Sequence, residues 1–303
     1  MRRIILLLFL NSFVLSAFGQ DLKLPLWEGM PPLQSNLNSE EERTQEGILR
    51  ISKVQIPEIE VYFPTKQIQN GQAVLILPGG GYRILAYDWE GSDFAKWFNS
   101  EGITGIVLKY RLPDPKSQSS PEEVPLLDAQ RAIRLVRHHA KEWGIDPDKI
   151  GVMGFSAGGH LASTLSTQYE LELDLEKDDI DKLSARPDFS ILVYPVISFR
   201  DASTHSGSKE ALIGKNPSIE LQDRFSAEIN VTDKTPSTFL VHAQDDMAVP
   251  VRNSILYYQS LVENGVPATM HLYPSGGHGF AFGIGKGTVE NWRMELISWL
   301  KNN

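Results

Sequence analysis

Along this chain short apolar runs alternate with longer stretches in which apolar residues recur every three or four positions. The runs at residues 74–77, 103–110, 150–155, 189–194, 238–242 and 269–273 are rich in aliphatic and aromatic side chains and read as strands, most of them buried on both faces. Residues 90–100, 126–142, 158–167, 252–264 and 290–301 read as helices. In 126–142, Leu127, Ala132, Leu135, Val136 and His139 fall near one face, Arg131, Arg134, Arg137 and Lys141 lie mainly elsewhere, and Gly144 stops the helix. Strand and helix alternating at this spacing predict an α/β fold, a mostly parallel central sheet with helices on both faces.

Outside that alternation the pattern changes. Arg2 and Arg3 precede a mostly apolar stretch, and Ala17-Phe18-Gly19 presents small residues where a signal peptidase cuts. Residues 1–19 are therefore expected to be a secretory signal, with the mature chain starting near Gln20. The apolar stretch falls short of the roughly 20 residues of a spanning helix, and Asn11 and Ser12 interrupt it. The expectation is an exported protein, periplasmic or secreted, with no membrane association after cleavage. Residues 20–45 are polar, contain Pro25, Pro31 and Pro32, and read as a loose N-terminal arm; residues 46–303 form the main domain. Within it, residues 170–186 are strongly acidic, and the polar segment 199–231 reads as a lid inserted between strands.

Charge and composition narrow the chemistry. Losing Arg2 and Arg3 with the signal takes the net charge from -9 to -11, which argues against nucleic acid and anionic membrane surfaces as partners. Cysteine is absent, so no disulfide supports the exported chain, and thiol nucleophiles and thiolate metal sites are excluded. The seven histidines show no metal-ligand spacing, and no phosphate-loop or dinucleotide pattern occurs. No metal and no cofactor are expected.

The residues that do point to chemistry sit at the ends of the predicted strands. Gly154-Phe155-Ser156-Ala157-Gly158 matches G-x-S-x-G, with a strand before it and a helix after it. That turn lifts the Ser156 hydroxyl above the C-terminal edge of the sheet, and its glycines avoid clashes with neighbouring elements. The Ala157 N–H, at the start of the helix, points toward any oxygen that becomes negative nearby. Pro78-Gly79-Gly80-Gly81-Tyr82 follows an earlier strand, and Gly80 and Gly81 are the candidate further oxyanion donors.

A serine hydroxyl needs a base, and the base needs an acid to orient it. After the strand at 238–242, HAQDDMAVP offers Asp245 and Asp246; the spacing from His242 and the following Val249-Pro250 favours Asp246, leaving Asp245 to cap the turn or face solvent. YPSGGHGF places His278 in a glycine-rich loop after the last strand, where the imidazole has room to reach Ser156. The chain order Ser156, Asp246, His278 is that of one serine hydrolase scaffold and not of the others. His160, His138, His139, His205, His242 and His271 read as packing or surface residues, with His139 on a core face and His242 inside a strand.

At this point the motifs resemble a known group. LPGGGYRILAYDWEG, GIVLKYRLP, PLLDAQRAIRLVRHHAKEWGIDPDKIGVMGFSAGGHLAS, HAQDDMAVPVRNS and YPSGGHGF together are similar to those of bacterial α/β-hydrolase esterases, including acetyl xylan esterases and feruloyl and acetyl carbohydrate esterases. The resemblance runs from about residue 50 to the C-terminus. It implies an α/β-hydrolase fold, with Ser156 as nucleophile, His278 as base, Asp246 as its orienting acid, and Gly80, Gly81 and Ala157 as amide donors. Many relatives carry histidine where Pro78 precedes the glycines, so any contact made by that histidine is lost here. The implied substrate is an ester, acetyl first, on plant cell-wall polysaccharide such as xylan. Tyr82, Tyr87 and Trp89 are available to stack on a sugar or aromatic acyl group, unless they pack in the core.

The implied chemistry is two-step acyl transfer, with activity rising as the base becomes neutral, through roughly pH 6 to 7 for an imidazole. Two rivals share the fold: a serine peptidase, told apart by comparing ester with amide substrates, and a non-catalytic carbohydrate-binding relative, which a serine-directed organophosphorus probe would fail to label.

Overall fold

The computed structural model describes residues 21–302 apart from 38, 174, 176 and 177; the expected signal, residues 1–19, lies outside the described residues. Eleven strands occur among them: β1 Leu22–Pro25, β2 Glu42–Glu46, β3 Ile48–Ser52, β4 Glu58–Tyr62, β5 Ala73–Leu77, β6 Leu85–Ala86, β7 Thr104–Lys109, β8 Ile150–Phe155, β9 Phe189–Val193, β10 Ser237–Ala243 and β11 Ala268–Tyr273. The α-helices are α1 Asp93–Ser100, α2 Val124–Trp143, α3 Ser156–Gln168, α4 Ser206–Ile213, α5 Ile219–Arg224, α6 Arg252–Glu263 and α7 Trp292–Leu300.

Eight strands form one sheet in the order β1-β4-β7-β5-β8-β9-β10-β11. The first two pairings are antiparallel and the rest parallel, giving the mostly parallel sheet expected from the alternating pattern. Every residue of β5, β7, β8 and β9 is buried, which is why these segments read as mostly apolar runs. Helices cover the sheet: Phe94 of α1 stacks 4.0 Å from Phe282 and lies 5.9 Å from Trp292 of α7, while α2 and α3 pack on each other and on β8.

Three expectations need correction. The described residues of the segment 20–45 do not form a loose arm. Strand β1 adds an antiparallel edge to the main sheet, with Leu22 opposite Val61, and β2 pairs with β3 in a small sheet that also holds β6. Lys23, between Leu22 and Leu24, is compensated by Glu58 and Glu60 on β4. Second, Arg131 is not on an outer face of α2 but is 4% exposed, because its Nε–H donates to the Leu26 carbonyl at 2.9 Å and its guanidinium pairs with Asp178 and Asp181. Third, His139 is only half-buried, stacked 4.8 Å from Trp143.

Segment 199–231 is built from α4, α5 and a short turn of 3-10 helix at Ala227–Ile229. Polar caps start both helices: His205 Nδ1 accepts the Ser208 N–H and Ser218 Oγ accepts the Leu221 N–H.

Candidate active site

Strand β8 ends at Phe155 with extended backbone, and Ser156 begins α3 with φ 51°, a left-handed conformation that a serine holds only under constraint. The constraint is packing. A side chain at Gly154 would meet the Gly158 carbonyl oxygen at 2.1 Å, and one at Gly158 would meet the Leu77 carbonyl oxygen at 2.1 Å. The Ser156 carbonyl accepts the Val196 N–H at 3.0 Å, tying the turn to the end of β9. The Ser156 hydroxyl therefore sits at the carboxyl edge of the sheet, next to the first turn of α3, whose opening N–H groups, that of Ala157 among them, have no acceptor within the helix.

The glycine loop after β5 lies alongside. Gly80 has φ 134°, and a Cβ there would approach the Ile84 carbonyl oxygen to 2.1 Å, so only glycine fits. The loop is closed by the Gly79 carbonyl accepting the Ala86 N–H at 3.0 Å, and β6 pins its far end to β3. Among the described residues, no protein acceptor takes the N–H groups of Gly80 or Gly81. Pro78 offers its carbonyl to the Tyr110 hydroxyl at 2.7 Å.

His278 joins the two remaining loops. Its Nδ1 lies 2.6 Å from Asp246 Oδ2 and its Nε2 lies 2.9 Å from Ser156 Oγ. A carboxylate only accepts, so Nδ1 carries the proton and Nε2 is left to accept from the serine hydroxyl. Asp246 Oδ1 takes the N–H groups of Ala248 at 2.9 Å and Val249 at 2.8 Å. Burial pushes this carboxyl upward, but the hydrogen bonds from His242 and His278 outweigh it and hold Asp246 well below the usual carboxylate range. Asp245 is exposed and accepts the Gly277 N–H at 2.8 Å, bracing the loop that carries His278.

Three supporting side chains were not singled out by the pattern of motifs. His242, buried in β10, points Nε2 at both Asp246 Oδ2, 3.2 Å, and the Val249 carbonyl, 2.9 Å. Glu90 is buried beneath the glycine loop and accepts the Gly79 N–H at 2.9 Å and the Tyr194 hydroxyl at 2.8 Å. Tyr194 packs edge-on against His278 with ring centres 5.0 Å apart. Little in the sequence marked Glu90, which stands between Asp88 and Asp93 and reads as an ordinary first-turn acid of a helix.

Of the three aromatic residues beside the glycine loop, Tyr82 and Tyr87 are core, 2% and 3% exposed, while Trp89 is 37% exposed and donates its indole N–H to the Gly279 carbonyl at 3.1 Å. His160 is internal, as expected. Its Nε2–H donates to the Phe225 carbonyl at 2.8 Å, so its Nδ1 accepts from the Tyr82 hydroxyl at 2.8 Å. Burial lowers its pKa to about 4. His205 is half-buried near the triad, and burial and the neighbouring His278 lower its pKa.

The BD-FAE family model matches residues 59–261. The chain is 37% identical over 237 residues to an acetylxylan esterase of Xylanibacter ruminicola, covering 77% of this chain and 46% of that one. It is 35% identical over 224 residues to endo-1,4-beta-xylanase B of Butyrivibrio fibrisolvens, covering 74% and 34%. It thus spans half or less of the length of these curated relatives. The crystal structure of an acetyl ester-xyloside bifunctional hydrolase from Caldicellulosiruptor lactoaceticus matches with a TM-score of 0.80 at 35% identity, covering 95% of this chain and 98% of that one. MGS-M1, an alpha/beta hydrolase enzyme from a deep-sea metagenome library, matches with a TM-score of 0.61 at 26% identity, covering 86% and 97%. With the serine turn, the glycine loop and the parallel sheet described above, these matches mean that the chain belongs to the BD-FAE family and has the α/β-hydrolase fold.

Proposed function

We propose that this chain is an exported serine esterase that removes acyl groups, acetyl first, from plant cell-wall polysaccharide such as xylan. The observation that carries the reading is the unbroken line from Ser156 Oγ through the His278 imidazole to Asp246, with contacts of 2.9 and 2.6 Å, beside two free backbone N–H groups. His278 takes the Ser156 proton as the hydroxyl attacks the ester carbonyl. The N–H groups of Gly80, Gly81 and Ala157 receive the developing oxyanion. The same imidazole, now protonated, gives its proton to the departing sugar oxygen, which leaves as the hydroxyl, and a water repeats the sequence to free the acid. Asp246 stays ionised throughout and holds Nδ1–H, so that Nε2 is always the nitrogen facing the serine.

The names of the relatives, an acetylxylan esterase and an acetyl ester-xyloside hydrolase, support acetylated xylan as substrate. Segment 199–231 acts as a lid in this reading: a Cβ added to Gly81 would lie 4.0 Å from Ser208 Oγ, at the start of α4, so α4 borders the oxyanion loop. Export rests on the N-terminal sequence, and N-terminal sequencing of the mature protein is expected to begin near Gln20.

The test is to incubate purified protein with acetylated and feruloylated xylan fragments and identify the acid released. Acetate is expected. Replacing Ser156 with alanine is expected to lower turnover by about 10⁴- to 10⁶-fold, and near-normal hydrolysis by that variant overturns the assignment. Amide analogues of the same acyl groups are expected to be cleaved far more slowly than the esters; the reverse preference would make the chain a peptidase.

A further inference from the structure

Glu90 is a buried ionisable group close to the triad that has no part in the acyl-transfer steps above. Glu90 lies in a turn of π-helix, Asp88–Ser92, where its own backbone departs from helical values, φ -118° and ψ 16°. The distortion places the carboxylate under the glycine loop. Oε2 accepts the Gly79 N–H at 2.9 Å and Oε1 accepts the Tyr194 hydroxyl at 2.8 Å. The Tyr194 oxygen in turn accepts the Ala281 N–H at 3.2 Å, three residues beyond His278. Packing leaves no slack: a Cβ on Gly79 would lie 2.5 Å from Glu90 Oε2 and 3.0 Å from Ser156 Cβ.

We propose that Glu90 is a positioning residue for the esterase reaction, holding the Gly80-Gly81 donor loop and the His278 loop in one register through Gly79 and Tyr194. The inference rests on the reading of the site as an esterase. Fixing the Gly79 N–H fixes the backbone leading into Gly80 and Gly81, and with it the direction in which their N–H groups point. Through Tyr194 the same carboxylate limits where the imidazole loop can sit. A backbone donor displaced by a fraction of an ångström still binds a neutral carbonyl but fails the oxyanion, so the benefit falls on the transition state. Burial pushes the Glu90 carboxyl up while the two donors and His278 pull it down, consistent with a group held for its acceptor geometry.

The test compares the full chain with Glu90→Gln, Tyr194→Phe and the double variant, using 4-nitrophenyl acetate as substrate and phenylboronic acid as the tetrahedral probe. Glutamine keeps one acceptor oxygen but turns an NH₂ toward one of the two donors. Phenylalanine removes the bridging hydroxyl without changing the ring. Each single variant is expected to lose about 10- to 100-fold in kcat, with KM within about threefold and boronate affinity falling in parallel with kcat. The double variant is expected to lose little more than the worse single one, because both changes cut the same link.

Single variants that keep kcat within twofold, or that change KM alone, overturn the proposal, as does full additivity. If Glu90→Gln does not fold, Tyr194→Phe alone decides by the same criteria. A wild type that neither hydrolyses the acetate nor reacts at Ser156 with a fluorophosphonate overturns the esterase reading and this inference with it. A wild type that does both, beside variants equal to it, overturns the positioning role alone.

Discussion

Two buried carboxylates, Asp246 and Glu90, stand near the Ser156 and His278 pair; burial pushes both up, yet their net shifts run in opposite directions. Asp246 lies in the turn after β10, and its oxygens collect four N–H donors, from Ala248, Val249, His278 and His242. These overcome the cost of leaving water, and the group is held well below the ordinary range. Glu90 has two donors, Gly79 and Tyr194, and burial prevails, pushing it up. At similar exposure, 4% and 5%, the partners of the two acids therefore bear on the direction of the shift as well as the burial does. A loop with unspent N–H groups can supply many, whereas a carboxylate within a helical turn must borrow them from other elements.

The largest break in this comparison would come from Asp246→Asn, which offers the His278 Nδ1–H a weaker acceptor and permits the wrong tautomer. A loss of about 10³- to 10⁴-fold in kcat is expected on an acetyl ester, against less than about tenfold for Asp245→Asn, whose amide oxygen still serves the Gly277 N–H. Equal losses would erase the distinction between the two neighbours. Removing a single donor is a finer probe. His242→Phe strips one of the four from Asp246, and with hydrogen bonds to charged groups near 1.5 to 3 kcal/mol, kcat should drop by about 10- to 100-fold. An unchanged rate would mean that the other three donors suffice.

The smallest expected effect concerns a buried base instead of an acid. His160 is lowered to about 4 from an ordinary 6.5 because its imidazolium cannot be solvated. A base with a depressed folded value binds fewer protons than the unfolded chain, so its contribution is complete above pH 6.5 and declines as pH falls toward 4. At about 1.4 kcal/mol per pH unit the decline amounts to about 3 kcal/mol. Urea unfolding at pH 7 and pH 4.5 is expected to show a smaller acid-side loss for His160→Gln than for the parent, by about 2 kcal/mol, and parallel losses would count against it.

The parallel strands β5, β8 and β9 were legible because each is buried on both faces and carries no charge to disguise it. Strand β4, EIEVY, was not: Glu58 and Glu60 break the apolar signal, and the groups that meet them, Lys23, Lys109 and the Tyr62 hydroxyl, make the burial tolerable. The same holds for β1, whose Lys23 and Pro25 read as an unstructured arm. Helices α4 and α5 are short and polar, and their starts are set by single capping side chains. At the site, Ser156, Asp246 and His278 could each be read from a local turn motif, and the fold brings them within hydrogen-bonding reach. Glu90 and Tyr194 had no such motif, and His242, although it opens the motif that carries Asp246, reads as a plain strand residue. The contacts of Glu90 span 11 and 104 residues and are visible only after the chain has closed, whereas His242 meets Asp246 four residues away.

The close approach around the serine turn bears on protein engineering. Gly158 presses on the backbone of β5 through the Leu77 oxygen, and a Cβ at Gly159 would lie 2.7 Å from the Pro195 side chain just past β9. Transplanting GFSAGG alone into another parallel sheet would supply the letters without the walls that compress them. A working graft must carry the ends of three adjacent strands as one block.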